Sequence, residues 1–266
     1  LRAFIDKAPF NRQGARRLTA PDIAIPETLP PPREKRTSTQ AGFGRILDEI
    51  AAAGGPLAER IVTTSPDVTV STNLGGWVNR KGLFAHTAAE DVFRELKVVS
   101  AQRWSLDPRG QHIELGIAEN NLFLQLAALG LSHELFGARL LPIGTLYDPF
   151  IARGLDALNY ACYQDARFIL VATPSGVTLA PEGGAHQSVS SPLIGIGQPG
   201  LLSYEPAYVD ELAVLLRFGL DHLQKPDGCS LYLRLSTRPL DQPQRTLGPD
   251  LARDIIDGGY WLREPA

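Results

Sequence analysis

Short apolar runs alternate along this chain with longer stretches in which apolar residues recur at helical spacing, and that alternation limits the folds open to it more than any other feature. The runs fall at residues 60–64, 113–115, 140–146, 168–172 and 231–235. In 140–146 and 168–172 apolar residues follow one another with little polar interruption, which is the pattern of strands covered on both faces. Between the runs, helices are expected over 122–131, 150–163 and 206–223. The last carries Val209, Leu212, Ala213, Leu216, Leu220 and Leu223 on one stripe. An earlier helix is expected where Phe43, Ile46, Leu47 and Ile50 share a face, opened by Ser38 and Thr39 and stopped by Gly54-Gly55. Strand, helix, strand in repeated order gives an α/β fold: an open, mostly parallel sheet with helices on both faces.

Composition narrows the function classes. The 266 residues are 44% hydrophobic, enough for a substantial core, and 26 Lys+Arg against 29 Asp+Glu leave a net charge of -3. Such a balance gives no electrostatic reserve for a phosphate backbone or an anionic lipid surface, so neither nucleic acid nor membrane is an expected partner. No stretch reaches the roughly 20 apolar residues of a membrane span. Cys162 and Cys229 stand far apart inside apolar sequence, without zinc or haem spacing; they read as buried thiols of a reducing compartment, and a cytoplasmic location is expected. Residues 1–39 are polar and interrupted by Pro26, Pro30, Pro31 and Pro32, and they read as a linker from a preceding domain. A single domain is expected over 40–243. Residues 244–266 then read as a linker and the start of a further domain. With no Met in the sequence, these ends suggest a piece of a longer polypeptide.

Several segments carry candidate chemistry. Gly195, Gly197 and Gly200 match GxGxxG, but Pro199 and an apolar run follow where a dinucleotide site needs a helix, so these glycines are read as shaping a loop between strands. The loop 173–188 leaves the carboxyl end of an expected strand, which is where open parallel sheets place ligands, and it carries Glu182 and His186. That pair fits catalysis and an ordinary loop hydrogen bond equally well. Glu119 sits in the first turn of an expected helix, where the macrodipole favours an acid whatever its function. Tyr147, Phe150 and Arg153 come just past another strand, and alone they fit plain packing and a helix-face charge.

Taken in order, the segments Gly116-Ile117-Ala118-Glu119, Tyr147-x-x-Phe150-x-x-Arg153 and Pro181-Glu182-Gly183-Gly184-Ala185-His186-Gln187 resemble the pyrimidine-binding domain of the transketolase family of thiamin diphosphate enzymes. Within that family the likeness is greatest to the homodimeric type of pyruvate dehydrogenase. The loop from Ser175 to His186 and the run Ser203-Tyr204-Glu205-Pro206-Ala207-Tyr208 carry it. Pro149 beside Phe150, and Ala118-Glu119-Asn120-Asn121, depart from that enzyme's pattern. The resemblance implies that Glu119 touches the cofactor's aminopyrimidine, that Phe150 stacks on it within the segment ending in Arg153, and that His186 faces the reacting thiazolium carbon. Glu182 would orient His186 or handle a second proton, and Tyr147 would donate to substrate. It also implies a homodimer with thiamin diphosphate at the subunit interface and a dihydrolipoyl acyltransferase lipoyl domain as partner. Magnesium would be held by a diphosphate-binding domain whose Gly-Asp-Gly motif does not occur here. The implied activity is decarboxylation of pyruvate and acyl transfer to the lipoyl group, with this stretch inactive alone. The alternatives are transketolase-like transfer of a two-carbon ketol unit between sugars, and a noncatalytic dimerisation domain.

Overall fold

The computed structural model describes residues 2–3, 18–29, 34–90, 92–100 and 103–263. Part of the expected linker 1–39, including Pro30 to Arg33, and residues 264–266 lie outside the described residues. The strands are β1 (Arg36–Thr37), β2 (Ile61–Ser65), β3 (Leu83–Phe84), β4 (Leu106–Asp107), β5 (His112–Glu114), β6 (Leu141–Leu146), β7 (Ile169–Ala172), β8 (Leu201–Tyr204), β9 (Ser230–Arg234) and β10 (Leu240–Asp241). Strands β2 to β9 form one sheet in the order β4-β3-β5-β2-β6-β7-β9-β8, with every pairing parallel. β1 and β10 form a separate antiparallel pair. After β2 the chain first builds outward through β3, β4 and β5, then returns to place β6 on the other side of β2. That reversal opens a crevice at the carboxyl ends of β5, β2 and β6.

The helices are α1 (Thr39–Ala53), α2 (Gly55–Arg60), α3 (Gly75–Lys81), α4 (Val92–Glu95), α5 (Glu119–Gly130), α6 (Ser132–Phe136), α7 (Leu155–Tyr163), α8 (Ser191–Gly197), α9 (Val209–His222) and α10 (Pro249–Asp257). They cover both faces, and strand residues divide between the two cores by the two-residue period of a pleat. In β7, Ile169 and Val171 join α1 and α9 in one core, while Leu170 and Ala172 join α5 and α7 in the other. Such strands must be apolar throughout, which is why they read as unbroken runs. α1 begins where the Ser38 hydroxyl accepts the Ala41 N–H and ends at Gly54 and Gly55, both at positive φ. α9 is capped by Glu211, whose carboxylate accepts the N–H groups of Ala207 and Tyr208.

Two expectations change. The helix over 150–163 is instead a 3-10 helix over Asp148–Gly154 followed by α7. Gly154 passes so close to α5 that a Cβ there would lie 2.3 Å from the Phe123 ring. The glycines at 195 and 197 lie in α8 and not in a loop, and Gly200 makes the turn into β8. Gly195 is pressed against Ser203 of β8, where a Cβ would meet Oγ at 2.2 Å, so close helix–strand packing explains it. The order is helix then strand, the reverse of a dinucleotide fingerprint. Outside the expected 40–243 domain, Ile23, Ile25 and Leu29 pack on the α1–α9 core. Ile255 of α10 is buried there too, and Arg245 pairs with Asp210 and Glu211 of α9.

Candidate active site

Three strand ends supply the walls of a cavity of about 270 Å³ at the sheet's carboxyl edge. Pro66 and Val68 come from the loop after β2, Ile117 and Glu119 from the turn after β5, and Tyr147, Phe150 and Arg153 from the segment after β6. Glu119 opens α5 behind Ala118, which provides no side-chain cap, so the carboxylate stands at the positive end of the helix. It is 8% exposed. Its Oε1 accepts a hydrogen bond from Arg153 Nη1 at 2.5 Å, and Arg153 Cζ lies 3.7 Å over the Phe150 ring. The Arg153 side chain is 51% exposed, so this ion pair is worth at most about 1 kcal/mol.

The guanidinium shows what the crevice accepts. A planar, N–H-donating group fits with its face on Phe150 and its edge on Glu119, and an aminopyrimidine ring has the same two properties. The residues present therefore fit a thiamin-type ring.

His186 arrives from the loop after β7. Its ring centroid lies 5.3 Å from that of Phe150 and 6.1 Å from that of Tyr147, edge to face in both cases. The Nδ1 atom is buried with no hydrogen-bond partner, while Nε2 is 3.9 Å from Glu182 Oε2. That separation is too long for a hydrogen bond. A buried imidazole nitrogen without a partner is costly unless something binds to it. Thus Glu119, Tyr147, Phe150 and Arg153 line one crevice, His186 packs on the Tyr147 and Phe150 rings, and Glu182 follows on the His186 loop with an exposed side chain.

A polar cluster behind the cavity has no counterpart in the sequence reading. His112 is fully buried, with Nδ1 2.8 Å from Thr63 Oγ1 and Nε2 2.9 Å from Thr69 Oγ1. Glu114 Oε1 accepts the N–H groups of Asp67, Leu115 and Gly116, tying together the two loops that line the cavity. Burial pushes the Glu114 carboxyl up, but contacts with His112, Thr69 and the Asp67 N–H outweigh it and hold the pKa at about 2. Asp148 was also missed. Only its place between Tyr147 and Phe150 in the motif could have marked it.

Residues 30–243 match the family model described as the pyruvate dehydrogenase E1 component middle domain. Curated relatives bearing the name pyruvate dehydrogenase E1 component include that of Corynebacterium glutamicum, 27% identical over 237 residues and covering 83% of this chain and 25% of that protein. Another is that of Pseudomonas aeruginosa, 25% identical over 261 residues, with 96% of this chain and 29% of that protein covered. The chain thus spans under a third of the length of these relatives. A solved transketolase from Pichia stipitis superposes with a TM-score of 0.67 at 18% identity, over 91% of this chain and 32% of that one. A split-gene transketolase, described as an inactive beta4 tetramer, gives a TM-score of 0.52 at 18% identity, over 80% of this chain and 55% of that one. These structural likenesses establish the fold, and the family match goes further. Spanning well over half of the residues, it makes this chain a member of the pyruvate dehydrogenase E1 component middle-domain family.

Proposed function

We propose that this chain supplies the pyrimidine-binding half of a thiamin diphosphate site in a pyruvate dehydrogenase first component, which decarboxylates pyruvate and passes the acyl group to the lipoyl domain of a dihydrolipoyl acyltransferase. The observation that carries this reading is a crevice lined by Glu119 and Phe150 in which the planar Arg153 guanidinium sits, with His186 packed on the Phe150 ring. When bound, thiamin diphosphate supplies the electron sink for loss of carbon dioxide from a 2-oxo acid. Glu119 would accept a hydrogen bond from the ring and Phe150 would give it an apolar face, in the seat that the Arg153 guanidinium fills, with Arg153 shifting to the edge of the cavity. His186 moves a proton near the substrate oxygen, with Glu182 beside its Nε2, and Tyr147 donates its hydroxyl to the substrate. Ile117, at the cavity wall, is 81% exposed and excludes water only when something covers it.

The complement is a diphosphate-binding domain holding magnesium, brought up by a homodimeric partner. Exposed Val189, Leu193 and Ile196 around α8 support such an interface. Residues 1–39 and 244–266 would then connect the 40–243 domain to its neighbours, and the protein would work in the cytoplasm. No helix among the described residues is long and apolar enough to cross a membrane. The split-gene transketolase described as inactive supports the expectation that this stretch does not turn over alone.

The test is decarboxylation by the polypeptide at its cellular length, with thiamin diphosphate, magnesium and an artificial electron acceptor, comparing pyruvate with xylulose 5-phosphate. Pyruvate turnover is expected. Turnover of the ketose alone would move the protein to transketolase-like chemistry, and absence of both turnover and cofactor binding would leave a noncatalytic dimerisation domain.

A further inference from the structure

The loop that carries His186 has almost nothing of its own to hold it. From Ala180 to Ala185 every residue is exposed, and its two short 3-10 turns, Ala180–Glu182 and Gly184–His186, pack on each other, the second also reaching the Asp148–Gly154 stretch through His186. What closes the loop is its neck. The Ser188 N–H bonds to the Gly176 carbonyl at 2.9 Å, and the Gly176 N–H bonds to Ser188 Oγ at 3.1 Å. Beneath that neck lies the Asp148 carboxylate, fully buried. The Ser188 hydroxyl donates to its Oδ2, as do the Ser191 hydroxyl at 2.9 Å and Arg234 Nη2 at 3.0 Å. The Tyr232 hydroxyl donates to Oδ1 at 2.6 Å and Arg234 Nε at 3.3 Å. Arg234 is itself 4% exposed and pairs at its other end with Glu205.

We propose that Asp148 is a positioning residue of this site: one buried carboxylate clasps the neck of the His186 loop through Ser188 while its own chain neighbours Tyr147 and Phe150 present the rings against which His186 packs. Its place in catalysis rests on the function proposed above; the clasp itself does not. Both loops are referenced to one point, and that point is fixed to the sheet through Tyr232 and Arg234 of β9. A charged acceptor suits this task, because hydrogen bonds to an ionised group are shorter and stronger than neutral ones. Burial would push Asp148 up, yet the bonds from Arg234, Ser188 and Tyr232 hold it below the usual carboxylate range, so the clasp is charged throughout the physiological pH range.

The experiment compares the unaltered protein with Ser188→Ala, Ser188→Thr and Asp148→Asn. Ser188→Ala removes one bond and leaves the buried Asp148–Arg234 pair intact, so it is informative even where Asp148→Asn fails to fold. Backbone hydrogen exchange over residues 175–190 should rise by about tenfold in Ser188→Ala, with the α9 peptides unchanged. The His186 ring resonances should move toward those of free histidine and return in Ser188→Thr, a response that general loss of stability would not give. Where pyruvate turns over, Ser188→Ala should lower kcat with KM retained. Unchanged exchange and unchanged His186 resonances in Ser188→Ala would overturn the proposal, whether or not Asp148→Asn folds. Absence of pyruvate turnover in the unaltered protein would instead remove the function proposed above, while the exchange data still decide the clasp.

Discussion

Two buried carboxylates within one short stretch of the fold differ in how completely they are used. Asp148 has both oxygens filled by Ser188, Ser191, Tyr232 and Arg234. Among the described residues Glu119 has one side-chain donor, the half-exposed Arg153, and lines a cavity; His186, packed on Tyr147 and Phe150, keeps a buried nitrogen without a partner. A saturated polar group in a low-dielectric interior fixes structure, and an unsaturated one at a crevice is held ready for something else. The difference teaches that the site is assembled from a rigid underlayer and an open upper layer, and that the two should fail in different ways.

The largest expected effect tests the underlayer. Asp148→Ala leaves buried Arg234 with only the half-exposed Glu205 as counter-charge and strips Tyr232 and Ser188 of their acceptor, and it should lower unfolding stability by about 3 kcal/mol, read by urea denaturation. If it costs no more than a change at Glu119, the contrast breaks. Next comes acid sensitivity, where Glu114, though partly open to solvent, has both oxygens hydrogen-bonded and so behaves like the saturated class. Its folded pKa of about 2 lies below the reference value of 4.5, so its stabilising contribution is present above pH 4.5 and is lost as pH falls toward about 2. Glu114→Gln should flatten the stability curve across that window, and a curve of unchanged slope would take Glu114 out of the underlayer.

The upper layer should behave in the opposite sense. Glu119→Gln should change stability by no more than about 1 kcal/mol, because its partner is half exposed. His186→Ala should change it by about 0.5 kcal/mol or less. Each should nevertheless lower thiamin-dependent turnover by about a hundredfold or more, measured at saturating cofactor. Full turnover in both variants would refute the roles given to them.

Much of the fold was legible because its determinants are local. The strand runs at 140–146 and 168–172 became β6 and β7 within a residue, and every member of the α9 stripe from Val209 to Leu223 is buried. α3, α8, α10 and the short strands β3 and β4 were not anticipated. In α8, glycines and a proline obscure the helical period, and two-residue strands have too few residues to show one. The helix expected from 150 begins inside the 3-10 stretch Asp148–Gly154, and only the structure shows that Gly154 there is required by the approach of Phe123.

At the site, the sequence by itself determined which side chains stand at the strand ends: Glu119, Tyr147, Phe150, Arg153 and His186 each follow an apolar run, and a parallel sheet puts all such ends on one edge. The pairing of Arg153 with Glu119 and the convergence of Ser188, Ser191, Tyr232 and Arg234 on Asp148 were decided only by the tertiary structure. Periodicity is fixed by neighbours a few residues apart, whereas the partner of a buried charge is chosen by which distant strands the sheet sets side by side.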